Sequence, residues 1–163
     1  MASPRPAHAV PLPAPITYGP LRRVLAVKIL ATLALWAVPG LLLPPPWFPI
    51  FGIPEPPAAQ LIFIRLLGAA YLALVVGYAL AWRAPARHPG AVLVGIVSNG
   101  LAALVIVSVG AGGGFASWPM LGALYIWGSA AITAALAAAL IVAGRPLLKK
   151  IVDRPRPGSV KVV

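Results

Sequence analysis

The chain has 163 residues, 61% of them hydrophobic and only 9% charged, with thirteen basic residues, two acids, two histidines and no cysteine. Soluble domains carry about 25% charged residues, so the composition is that of a membrane protein, with room for one bundle and none for a separate soluble catalytic domain. The missing cysteine excludes disulfides, thiolate metal sites and cysteine nucleophiles, and His8, His88, Glu55 and Asp153 offer almost nothing from which to assemble a metal or haem site, so no cofactor is expected.

Residues 1–20 hold prolines at 4, 6, 11, 13, 15 and 20. Proline removes backbone donors and keeps its neighbours out of helix, so this head is expected to be an extended tail or a strap on a partner. The first predicted helix covers 21–43. Its Arg22-Arg23 start resembles a twin-arginine signal, but the apolar run is long for one and no small-x-small cleavage site follows before Pro44. Lys28 lies little more than one turn inside and is expected to snorkel to the headgroups. Residues 44–59 contain seven prolines together with Trp47, Phe48, Ile50, Phe51 and Ile53. Prolines at that density argue against regular helix, and the apolar side chains against a free aqueous loop, so the segment is expected as an interfacial cap over the bundle; a lid or docking surface is the other use.

The second predicted helix, 60–82, is apolar for more than twenty residues except at Arg65 and its ends, enough to cross a bilayer core of roughly 30 Å. Arg65 sits about one and a half turns from the outer end, where it needs Glu55 or loop carbonyls as partners, and an intramembrane cation is also a candidate ligand group. Ala69, Ala73, Gly77 and Ala81 recur every four residues, a stripe that permits close helix approach. Tyr71 and Tyr78 lie elsewhere on the helix, and each hydroxyl needs a partner or the interface. The turn 83–90 leads to a third helix over 91–109. There Gly95, Asn99 and Ala103 share a face, with Asn99 expected to hydrogen-bond a neighbouring helix or, with Ser98, to line a cavity. The glycine-rich turn 110–117 lacks the Gly-Lys-Ser/Thr of a phosphate loop. A fourth helix follows over 118–143, rich in small residues in its inner half, and then a basic tail over 144–163.

Twelve of the thirteen basic residues fall before the first helix or in its first turns, in the turn after the second, or after the fourth; only Arg65 falls elsewhere. This is the positive-inside pattern, which accounts for the charge without nucleic acid. It predicts an all-α, polytopic, multi-pass four-helix membrane bundle with both termini cytoplasmic. Arg145, Lys149, Lys150, Arg154 and Arg156 form a juxtamembrane cluster expected to attract anionic lipid.

The chain lacks the groups that move protons, hold metals or attack substrates, so no catalytic residue is assigned and no enzyme is expected. The first expectation is a non-catalytic accessory or assembly subunit packed against a membrane-protein partner or a second copy, through Ala69, Ala73, Gly77, Ala81, Gly95 and Ala103. The alternative is a small-molecule or lipid transporter or binding protein with a site between helices 2 and 3, built from Arg65, Glu55, Tyr71, Ser98 and Asn99. The run Arg65-Leu66-Leu67-Gly68, with Gly77-Tyr78 and the turn Arg83-Ala84-Pro85-Ala86-Arg87, resembles small four-helix bacterial inner-membrane proteins of unknown function, which are similar to the DoxX-like group in size and layout. The resemblance covers mainly 60–110 and implies a four-helix bundle and no activity.

Overall fold

The computed structural model describes residues 17–152; residues 1–16 of the expected proline-rich head, and Arg154 and Arg156 of the expected basic cluster, lie outside them. Four helices are long and apolar enough to cross a membrane: Gly19–Leu42, Ala58–Arg83, Pro89–Ala111 and Met120–Val152, here the first to fourth spans. No strand occurs among the described residues. The chain is a multi-pass membrane protein. With four crossings, both ends of the described chain and the turn 84–88 share one face of the bundle, the terminal face. The proline-rich segment after Leu42 and the glycine-rich turn after Ala111 share the other, the loop face.

Proline and glycine punctuate these helices. Pro20 and Pro89 fall in the first turns of their spans, where the missing N–H has no helical partner to lose. The first span packs against the second and the fourth, and the third packs along the fourth. Leu21, Leu25, Ala81, Val92, Leu140 and Leu147 form a core cluster towards the terminal face. Elsewhere large side chains such as Leu30, Phe63 and Leu104 point outward, as they do where hydrocarbon is the solvent and helix association depends on close packing instead.

The tightest of these approaches is between Gly40 and Gly68. A Cβ added to Gly68 would lie 2.7 Å from both the Gly40 carbonyl carbon and the Leu41 nitrogen. Of the expected Ala69, Ala73, Gly77 and Ala81 stripe, only Ala81 is buried. Ala69 and Ala73 are exposed, and the position of a Gly77 Cβ is open.

Three further differences from the sequence expectation have physical causes. The fourth helix does not stop at Ala143 but runs to Val152 through Pro146; Gly144 packs near Val92, and Leu147 is buried in the core cluster, so tertiary packing carries the helix past its proline. The proline-rich loop does contain helix, a 3-10 segment over Pro45–Phe51, since that tighter turn tolerates prolines an α-helix would reject. Lys28 does not snorkel: it is only 4% exposed.

Candidate functional site

Leu21, Leu25, Lys28 and Thr32 are all buried, and their spacings of four, three and four place them on one inward face of the first span. Lys28 therefore enters the bundle about 13 Å along the helix from Gly19, at 1.5 Å per residue. The third span supplies its counterpart through Val92, Gly95, Asn99 and Ile106, again a buried face at helical spacing. Gly95 makes the meeting possible. A Cβ there would lie 3.1 Å from Leu140 Cδ1, 3.3 Å from Tyr78 Cε1 and 3.5 Å from Lys28 Cε.

The Lys28 ammonium donates to Asn99 Oδ1 at 2.7 Å and, more weakly, to Thr32 Oγ1 at 3.5 Å. It also stands 4.6 Å from the centroid of the Tyr78 ring, a cation–π contact. The Ser98 hydroxyl donates to Gly95 O at 3.4 Å, and the Tyr78 hydroxyl lies 3.3 Å from Ser98 Oγ, which is left to accept from it. Asn99 Nδ2 has no partner among the described residues. Beside this cluster lies a void of about 20 Å³ lined by side chains of all four spans, among them Lys28, Thr32, Tyr71, Ser98, Asn99 and Thr133. A void of that size holds one water-sized occupant.

Towards the loop face the void shares Leu35, Trp36 and Tyr71 with a second cavity of about 270 Å³. Its walls are apolar and aromatic, with Trp36, Phe48, Phe51, Tyr71, Trp118 and Tyr125 the largest. Local backbone chemistry shapes it. Pro39 has no N–H for the carbonyl four residues earlier, and the first span widens into one π-helical turn over Leu33–Ala37 just before it. That earlier carbonyl, Leu35 O, accepts from the Tyr125 hydroxyl. Trp36, in the same turn, stacks on Tyr71 with centroids 5.6 Å apart.

The proline-rich segment lines one side of the cavity through Phe48, Phe51 and Ile53. Phe48 is buried, Phe51 meets Tyr125 edge-on at 5.4 Å, and the Phe51 backbone rests directly on Gly122. Gly52 takes φ +78°, which favours glycine, and a Cβ there would strike the Trp118 ring at 2.8 Å. The segment is thus a fitted cap, with Trp47 and Ile50 left exposed on its far side.

The expected site residues fall into separate groups. Tyr71, Ser98 and Asn99 meet at the central void, between the second and third spans and also against the first and fourth. Arg65 is elsewhere: it donates to Gly40 O at 2.9 Å and Leu43 O at 2.7 Å, carbonyls at the end of the first span. Glu55 is exposed in the loop, and no ion pair occurs among the described residues. Ala103 is half-buried on the third span. Lys28 was not among the expected site residues, although its place in the 21, 25, 28, 32 pattern was a signal for it. Comparison with protein-family models, curated proteins and solved structures finds no match for this chain.

Proposed function

We propose that the bundle binds a small, largely apolar molecule drawn from the membrane and held beneath the proline-rich cap, as a carrier or binding protein without catalysis. The observation that carries this reading is the cavity of about 270 Å³ with aromatic walls. An apolar cavity of about 150 Å³ already takes benzene, so the occupant is larger than one ring. The test is purification in mild detergent with mass spectrometry of bound small molecules, for wild type and for Ile126→Trp, which fills the cavity from the fourth span. A stoichiometric apolar compound lost in the variant supports the reading. A wild-type protein that carries none, or a variant that keeps it, overturns it.

A second reading, the accessory subunit, is favoured by the exposed Ala69 and Ala73 and the open Gly77 surface, which permit close approach by another helix. It predicts partner proteins that co-purify and are lost on Ala73→Leu and Gly77→Leu; a monomer indifferent to both changes counts against it. In either case the basic distribution favours a cytoplasmic terminal face in a bacterial inner membrane. The exposed Arg145, Lys149 and Lys150 on the extended fourth helix suit anionic headgroups there.

A further inference from the structure

We infer that Lys28 and Asn99 form an internal site for one monatomic anion of chloride size. The inference stands apart from the ligand reading of the loop-face cavity, and holds even where that cavity binds nothing.

Three observations converge on it. The first is charge. Glu55 is the only acid among the described residues, and it is exposed in the loop before the second span. The ammonium, 4% exposed inside the bundle, has amide and hydroxyl dipoles and a ring face around it but no countercharge among the described residues. An uncompensated buried charge is costly in protein or hydrocarbon.

The second is a surplus of donors. Lysine brings three hydrogens and no acceptor, and the asparagine amide brings two more. Asn99 Oδ1 must face the ammonium, since the flipped amide would set donor against donor, so Nδ2 is the atom left without a partner among the described residues. Asn99 is itself only 4% exposed, so water outside the bundle does not satisfy it.

The third is size. The adjoining void of about 20 Å³ admits one atom-sized occupant. A water molecule accepts hydrogen bonds but brings no charge. A halide supplies both what the donors lack and what the ammonium lacks.

The test uses the full chain in mild detergent, with melting temperature followed in sodium chloride, bromide and gluconate at equal ionic strength. Wild type is expected to rise in Tm saturably with chloride and with bromide but not with gluconate. Lys28→Met removes the charge, and the difference between salts should vanish. Asn99→Asp places a carboxylate against the ammonium, and its Tm in gluconate should then match or exceed wild type in chloride, with no halide response. Radiolabelled chloride should bind wild type at one per chain, and bromide should be located beside Lys28 by anomalous diffraction. Equal Tm in chloride and gluconate for wild type, a halide response that survives in either variant, or bromide bound elsewhere overturns the inference. Should a variant fail to fold, chloride binding to wild type decides, and absence of saturable binding overturns it too.

Discussion

Gly68→Ala and Gly77→Ala are the same chemical change, nine residues apart on one helix, and they should move stability in opposite directions. At Gly77 a Cβ meets nothing within 4 Å, so the change gains the helix propensity of alanine, up to about 1 kcal/mol. At Gly68 the same gain is opposed by contacts of 2.7 Å to Gly40 C and Leu41 N and 3.1 Å to Gly40 Cα. Carbon atoms in ordinary contact stand about 3.5–4.0 Å apart, so the first and second spans must separate by nearly 1 Å. All three atoms are backbone, and no rotamer relieves them. Overpacking costs about 1–3 kcal/mol, and here the displaced strand of backbone also carries Gly40 O, which accepts from Arg65. Gly68→Ala should therefore be less stable than Gly77→Ala by about 1–3 kcal/mol. Reversible unfolding in mixed micelles of dodecyl sulfate and mild detergent, followed by tryptophan fluorescence, measures both. A Gly68→Ala protein as stable as Gly77→Ala would refute the assignment of this crossing as the closest approach of two spans.

Arg65→Met removes two hydrogen bonds from a charged donor and should cost about 2–4 kcal/mol in the same assay; Glu55→Gln should change stability by less than about 0.5 kcal/mol, and an equal loss in both would restore the ion-pair expectation. Tyr125→Phe withdraws the hydroxyl from Leu35 O and should cost about 1 kcal/mol, with a shift in the emission of Trp36 in the adjoining turn. Leu147→Ala opens a buried position in the helix beyond Pro146 and should cost about 2–5 kcal/mol, whereas a free basic tail would tolerate it without change.

The four spans were legible because each is a continuous apolar run, and a run of that length has few soluble uses. What the runs did not reveal is which face of each helix meets another. The alanine and glycine stripe of the second span showed a face able to approach a helix closely; it did not show that a neighbour occupies it. The position that does meet a neighbour, Gly68, lies one residue before the stripe, and its partner Gly40 follows Pro39 near the end of an apolar run, where a glycine looks like a stop signal. The Gly144-Arg145-Pro146 sequence likewise resembles a helix end, and only the burial of Leu147, a tertiary effect, outweighs it. Lys28 departs from the expectation because its depth along the helix axis puts snorkelling in reach, whereas its spacing from Leu21 and Leu25 around the axis turns it inward.

Arg65 and Lys28 are the two cations of the described spans that are not exposed, and they are satisfied in different ways. Arg65 lies against the end of the first span, where the last carbonyls lack helical donors and the helix dipole contributes roughly half a negative charge. Its planar fork bridges Gly40 O and Leu43 O, a geometry that a guanidinium meets and an ammonium does not. Hydrogen-bonding need and charge are thus both met by the backbone, and no acid is required. Lys28 lies inside the same helix, away from both ends, where the dipole offers no local negative charge. Its partners are the side chains of Asn99, Thr32 and Tyr78, which satisfy some of its hydrogens and none of its charge. The bundle is therefore complete around Arg65 and incomplete around Lys28, and that incompleteness, together with the unpartnered amide of Asn99, is why an anion is assigned to the centre of the bundle and not to its loop face.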